Sequence, residues 1–415
     1  MTDALDGVIA SDRITEPIDV VSQEILGVGR RPQKSKEEGL PNLALVSTYP
    51  PTPCGLATFT ASLRASMLDV GGPAFSVDVV QVVEGEDIPE GGPEVIGVLR
   101  PDVPGSVEFA GRILNSYDAV VIQHEYGIFG PESGWAVIDL LKELTVPAIA
   151  VLHTVLKDPS PLEREIIERM RYLVSKFVVQ SRSAAALLTG NFGVPLSRIE
   201  VIPHGTHPVP KSVPKVLRRD GNTILTWGLI GPGKGLEWSI RALSRVKEEH
   251  PNVRYVIAGR THPKVLEREG ETYREMLVDL ASELGVSDNI LWVNQYMPRS
   301  GVHELIRSSD VIVLPYDSTS QTVSGILVEA VTAEVPVVAT RFPHAVELAS
   351  DGAVVAVPNK DPVAMAEAIV SMLNDSPERR AIKKVQRILG PTLTWDHVAR
   401  RYFHLLHRIA ASRAL

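Results

Sequence analysis

The strongest constraint on the fold is a repeated alternation. From residue 43 onward, short runs of Val, Ile and Leu alternate with segments of helical periodicity. The first half holds LALVS (43–47), FSVDVVQVV (75–83), DAVVIQ (118–123), VPAIAVLH (146–153), KFVVQS (176–181) and IEVIP (199–203). Between them lie segments such as GWAVIDLLKEL and PLEREIIERMRYLV, with apolar residues three and four apart. Strands that are apolar almost throughout have no solvent face, so they belong to a parallel sheet with helices on both sides.

The alternation stops at HPVPKSVPKVLRRDGN (207–222), where the prolines prevent a helix. It then restarts with TILTWG, VRYVIAG, NILWVN, DVIVLPY, VPVVAT and AVVAVP. At 415 residues the chain exceeds one ordinary core, so the bridge is read as a domain boundary. The expected order is a mobile leader (1–40), a Rossmann-like domain (41–206), the Pro-rich linker (207–222) and a second Rossmann-like domain (223–392). A C-terminal helix (393–415) follows, whose Trp395, Val398, Tyr402, Leu405, Leu406 and Ile409 fall at helical spacing for packing onto a domain surface. Ligands of open parallel sheets bind beyond the carboxyl ends of the strands, so two such domains face to face share one cleft.

Composition removes several classes of function. A formal net charge of −8 argues against a nucleic-acid partner. One cysteine, Cys54, leaves neither a disulfide framework nor a zinc site of several thiolates, and fits a reducing cytoplasm. No apolar run is long enough to span a bilayer, and the acidic N-terminus lacks the basic region of a secretory signal.

Chemistry is therefore sought in the loops after strands. STYPPTPCGLATFTASL (47–63) passes through Gly55 into a helix, whose first N–H groups suit a phosphate or merely close a turn. VIQHEYGIFG (121–130) places His124, Glu125 and Tyr126 at a strand end, and VLHTV (151–155) adds His153 one strand later. TWGLIGPGKGLEWSIRAL (226–243) surrounds Lys234 with Gly228, Gly231, Gly233 and Gly235, so the backbone can approach a ligand and the ammonium can neutralise phosphate. The Ser or Thr of a P-loop is replaced by Gly235. Gly259 and Arg260, in VIAGRTHP, either line a nucleotide or solvate a loop. In PYDSTSQTVSGILVEAVTAEVPVVAT (315–340), Ser324 and Gly325 open a helix in which Glu329 stands among Ile326, Leu327, Val328, Ala330 and Val331. Such neighbours leave little solvated face for a carboxylate. No Asp-x-Asp, G-x-S-x-G or H-E-x-x-H is present.

Taken in order, YPPTPCGLATFT, HTV, IPHGTHP, WGLIGPGKG, VIAG and SGILVEAVTAEVPVVAT resemble the retaining glycosyltransferases of the GT-B fold, glycosyltransferase family four. The resemblance covers roughly residues 43 to 410 and implies two Rossmann-like domains facing a central cleft. It implies metal-independent transfer of a hexose, mannose or glucose, from a GDP- or UDP-type sugar to a carbohydrate or other hydroxyl, with retention and no further cofactor. Lys234 would contact the donor diphosphate, and Glu329 the ribose hydroxyls. Ser324, Gly325, Ile326 and Leu327 would meet donor sugar or phosphate through their backbone, with Gly55 approaching from the other domain. Gly228, Gly233, Gly259 and Arg260 would complete the donor side, His153 would lie near the transferred sugar, and His124, Glu125 and Tyr126 would face the acceptor.

Two positions depart from the family. Leu229 stands where an Arg is frequent, and Gln321 replaces the first acid of the Glu-x7-Glu pair. An amide at Gln321 keeps an acceptor, adds donors and removes the charge. Because fold does not fix function, a nucleotide-sugar epimerase or phosphorylase on a similar scaffold stays open, and the two departures prompt a third reading, a non-catalytic sugar-nucleotide-binding protein.

Overall fold

The computed structural model describes residues 42–411, apart from 74, 86–87, 89–90, 213–220 and 318–322. The leader, half of the proline-rich bridge (213–220) and Gln321 therefore lie outside the described residues. The first sheet contains β1 (Leu43–Ser47), β2 (Val77–Val82), β3 (Val95–Leu99), β4 (Ala119–His124), β5 (Ala148–Leu152), β6 (Lys176–Val179) and β7 (Ile199–Val201). Their order is β3-β2-β1-β4-β5-β6-β7, all parallel. The second contains β8 (Thr223–Trp227), β9 (Arg254–Ala258), β10 (Ile290–Val293), β11 (Val311–Leu314), β12 (Val337–Thr340) and β13 (Val355–Val357). It runs β10-β9-β8-β11-β12-β13, also parallel.

β3 has no counterpart among the strands read from the sequence. Gly97 interrupts its apolar run, and the missing side chain admits Ile113, whose Cδ1 would lie 2.8 Å from a Cβ there. In both sheets the winding direction reverses beside the first strand, between β1 and β4 and between β8 and β11. That reversal opens a crevice at the carboxyl edge, because the following helices leave to opposite faces.

The helix Trp395–Ala411 returns to the first domain. Trp395, Val398, Tyr402, Leu405 and Leu406 are buried in one core with Phe59, Leu63 and Met67 of the helix Gly55–Gly71. Arg401 and Arg408 reach Glu200 from its outer side. The two chain crossings between domains run side by side, since Thr206 N–H donates to Leu393 O (2.9 Å) and Trp395 N–H to Thr206 O (3.0 Å). Among the described residues no helix is long and apolar enough to cross a membrane.

Candidate active site

The glycine loop after β8 and the turn after β11 flank the winding reversal of the second sheet. Gly235 has φ +65°, and a Cβ there would lie 1.9 Å from Pro315 O, so only glycine fits. Gly259 is equally constrained, with φ +142° and a Cβ that would lie 1.8 Å from Gly228 O. The loop is tied across the edge by Asp317 N–H donating to Gly233 O (3.0 Å). Beside Gly233 itself nothing lies within 4 Å of the Cβ position. Its φ of +84° calls for glycine on backbone grounds, and the space beside it is clear of the described residues.

Lys234 projects from this loop with Nζ 4.5 Å from the centre of the Tyr316 ring. Burial lowers its pKa from the usual lysine value, because few waters remain to solvate the ammonium. Tyr316 is held by Phe342, stacked at 5.3 Å, and by its hydroxyl contact with Ser324. Ser324 caps the helix Gly325–Thr332, its Oγ accepting from Leu327 N–H (3.2 Å), while its own N–H donates to His344 Nδ1 (3.0 Å). Val328 N–H donates to Ser324 O, so the N–H groups of Gly325 and Ile326 precede the ladder and have no partner among the described residues. Ile326 also packs at Gly228, which brings the glycine loop and the helix start together.

Glu329 lies one turn into that helix. Its side chain is 20% exposed, and burial raises its pKa to about 7, only partly countered by Arg299. His303, from the helix Arg299–Ser308, holds Nε2 at 3.5 Å from Glu329 Oε1. Beyond the carboxyl ends of β8, β9 and β10 is a cavity of about 180 Å³ lined by Trp227, Leu229, Gly259, Arg260, Tyr296 and Met297, among others. Arg260 lies over the Tyr296 ring at 5.5 Å. Leu229 forms apolar wall here, at the place where an Arg is frequent. A larger groove, near 550 Å³, sits at the amino ends of β5 and β6 and so away from every strand-end loop.

The first domain presents a different edge. His153 Nε2 is 2.8 Å from Gln123 Oε1, and its Nδ1 is 3.1 Å from Gln180 Nε2. A carbonyl on one nitrogen and an amide donor on the other select the neutral tautomer with hydrogen on Nε2. Burial, with His204 and His124 nearby, lowers its pKa to about 3. Both ring nitrogens are thus occupied within the protein, and the ring stands edge-on to Phe59 at 4.7 Å.

His124 points to the opposite sheet face from Gln123, as strand alternation requires. It is wholly buried against Tyr126 and Phe129, with neither ring nitrogen bonded among the described residues. The structure thus places it in the core rather than on the cleft wall, and burial lowers its pKa to about 4. Tyr126 lies against it with a buried hydroxyl, while Glu125 accepts from Thr154 Oγ1 (2.6 Å) at the strand end. Gly55 follows Cys54, the helix cap, and is exposed with nothing within 4 Å of a Cβ position.

Contact between the halves runs through residues not singled out from the sequence. His204 packs against Phe59 (5.1 Å) and lies 3.2 Å from a Cβ built on Gly325. His344, His303, Gln123 and Gln180 were likewise not singled out. Gln123 and Gln180 end their strands as polar residues after apolar runs, which is a usable signal; His303 is 26 residues from Glu329 and has none. Among the described residues no group of three or more His, Cys, Asp or Glu is placed to hold a metal.

Comparison with known proteins agrees with this two-domain architecture. Residues 74–208 match the family model described as Glycosyltransferase Family 4, and residues 211–388 match Glycosyl transferases group 1. Together the two span both domains. The chain is a glycosyltransferase of the GT-B fold and the family-four type. Among curated relatives, a D-inositol 3-phosphate glycosyltransferase of Xylanimonas cellulosilytica is 27% identical over 338 residues, covering 73% of this chain and 77% of that protein. HepE of Anabaena, solved with UDP, superposes with a TM-score of 0.71 at 14% identity, over 88% of this glycosyltransferase and all of that chain. Sucrose-phosphate synthase of Thermosynechococcus elongatus gives 0.67 at 17% identity, over 89% of this chain and all of its own.

Proposed function

We propose that this glycosyltransferase moves a hexose, glucose or mannose, from a UDP-type sugar to a hydroxyl of a carbohydrate or polyol, with retention and without a metal ion. The observation that carries the reading is the convergence of Lys234, the free N–H groups of Gly325 and Ile326, and Glu329 on one edge. Cleaving a glycosyl–phosphate bond leaves negative charge on the diphosphate. A preorganised ammonium and helix N–H groups stabilise that charge where water is scarce. Glu329 can accept two vicinal ribose hydroxyls in charge-assisted bonds. The apolar cavity behind Gly228 and Gly259 suits a flat base. The UDP complex of HepE supports the choice of a UDP-type donor.

In same-face transfer the departing phosphate can take the acceptor proton, so His153 need not be a base. Its two amide bonds suit it to shaping the wall between donor and acceptor. Gln321 would read a hydroxyl of the sugar. The test is incubation with UDP-glucose, GDP-mannose and a panel of sugar and polyol acceptors, in buffer with EDTA. Release of nucleoside diphosphate with an α-linked product supports the reading. Activity abolished by EDTA and restored by Mg²⁺ would remove metal independence. Nucleotide binding without any product would favour the non-catalytic reading, to which Leu229 in place of a cation points.

A further inference from the structure

The role proposed for Glu329 does not require its pairing with His303. The His303 side chain is 9% exposed, and Nε2 has no hydrogen-bond partner among the described residues, although it faces Glu329 Oε1 at 3.5 Å. A buried imidazole nitrogen left unbonded is costly, unless another state of the protein uses it. The carboxylate beside it is the group that a ribose would engage.

We propose that His303 is the proton partner of Glu329: as the carboxylate accepts the vicinal ribose hydroxyls of a bound nucleotide, the proton Glu329 gives up is held on His303 Nε2. The inference rests on the reading of Glu329 as the ribose-binding group. The O–H bond of the Glu329 carboxyl breaks and an N–H bond forms on His303. The pair keeps its net charge while becoming carboxylate and imidazolium. Nothing further is consumed.

The surroundings support two such states. Burial holds Glu329 at about 7 and His303 below the usual histidine value, so in the empty site near neutrality the proton favours the acid. Two ribose hydroxyls donating to Glu329 reverse that preference, because hydrogen bonds to the charged form stabilise it. The incoming diphosphate adds negative charge and favours the imidazolium further. Arg299, one turn earlier on the same helix, opposes a charged His303 and helps ionise Glu329. His207, from the crossing between domains, senses both Arg299 and His303. Behind the Glu329 helix, Arg387 is committed to Glu334, and Gln386 to Val335 O and Ala353 O. His344 is bonded to Ser324 N–H and remains neutral near pH 7.

The consequence is a reversed pH dependence. With His303 present, a proton already on Glu329 is kept within the site. Donor affinity should therefore be flat from about pH 6 to about pH 7 and weaken above it, as the empty pair loses its proton. In His303→Gln the proton must leave, so affinity should fall about tenfold per unit below pH 7 and be flat above it.

The test is calorimetric titration of UDP-glucose, whose esterified diphosphate does not titrate in this range, at about pH 6 and about pH 8 in buffers of low and high ionisation enthalpy. At the lower pH the unmodified enzyme should release almost no proton and His303→Gln about one. NMR of ¹⁵N-histidine-labelled unmodified enzyme should show the His303 ring passing from neutral to imidazolium on saturation, whatever the variant's stability. A His303 ring that stays neutral in the saturated complex, or equal proton release by both proteins, overturns the proposal. Failure of UDP-glucose to bind at any pH would instead remove the nucleotide-sugar reading, and this inference with it.

Discussion

The two edges of the cleft are built from opposite materials. On the first domain, Gln123, His153 and Gln180 form a chain of neutral groups bonded to one another, His124 is sealed in the core, and the carboxylate of Glu125 is engaged by Thr154. On the second, the strand ends carry ionisable side chains with unspent capacity: Lys234 over Tyr316, Glu329 beside His303, and Arg260 over Tyr296. Two parallel sheets with the same winding reversal thus present different electrostatics at their carboxyl edges. The difference matches the demands of glycosyl transfer, where the leaving group is anionic and the acceptor is a neutral hydroxyl. On the proposed reading, charge belongs where the diphosphate would sit, and shape belongs where the acceptor would sit.

Removing the charge from the second edge should have the largest effect. Lys234→Ala is expected to lower turnover by roughly 10²–10³-fold, the range for one preorganised donor to developing negative charge. Its melting temperature should not fall by more than a few degrees, since burial disfavours the ammonium in the folded chain. Steady-state kinetics and a thermal melt on one preparation check both, and normal turnover would erase the contrast between the edges.

Acid should act mainly through the neutral side of the comparison. His124, His153 and His204 are held at about 4, 3 and 4 by burial, and His344 on the second domain at about 4. A histidine depressed on folding contributes stability that is present above its unfolded value, near 6.5. That contribution is lost as pH falls toward the folded value. At about 1.4 kcal/mol per pH unit, His124 alone should cost about 2 kcal/mol at pH 5. Glu329 works in the other direction. Raised to about 7, its contribution is present below the unfolded carboxylate value and is lost as pH rises through about 7. Denaturant unfolding at pH 5 and pH 7 should show His124→Leu less acid-sensitive by about 2 kcal/mol. An unchanged acid slope would mean that His124 is not sealed in the core.

The smallest expected effect lies where the halves touch. Glu347 accepts from the N–H groups of Arg182 (2.9 Å) and Ser183 (3.0 Å), at the start of the first-domain helix Arg182–Phe192. Arg182 reaches Asp351 with two bonds of 2.9 Å. A carboxylate on a helix N-terminus is worth about 1 kcal/mol when partly buried. Glu347→Ala should lower stability by about that amount and enlarge the radius of gyration measured by small-angle scattering without nucleotide. Unchanged scattering would show that this contact does not set the spacing of the edges.

Much of this architecture was legible because parallel strands are apolar on both faces, which leaves a strong periodic signal. β3 escaped because Gly97 and the turn residues before it weaken that signal. At the candidate site, Lys234 and Glu329 stand out in the sequence because each breaks a local rule: a cation inside a glycine loop, and an acid inside an apolar helix. His124 was misleading for the same reason. A histidine at a strand end looks like a cleft residue, and only the pleat decides that Gln123 faces the Gly55–Gly71 helix while His124 faces the core. The His303–Glu329 and His204–Gly325 contacts join distant segments, and nothing in the local sequence announces them.

The central claim is that the second edge holds the nucleotide and the first does not. Its most direct measurement is calorimetric titration of UDP and GDP into the unmodified enzyme, Glu329→Gln and Glu125→Gln at pH 7.5. One site is expected, with UDP preferred. Affinity should be reduced about 10- to 100-fold in Glu329→Gln, as losing charge-assisted bonds of about 1.5–3 kcal/mol requires, and should stay within about twofold of the unmodified enzyme in Glu125→Gln. Full affinity in Glu329→Gln, with the loss appearing in Glu125→Gln instead, would contradict the claim.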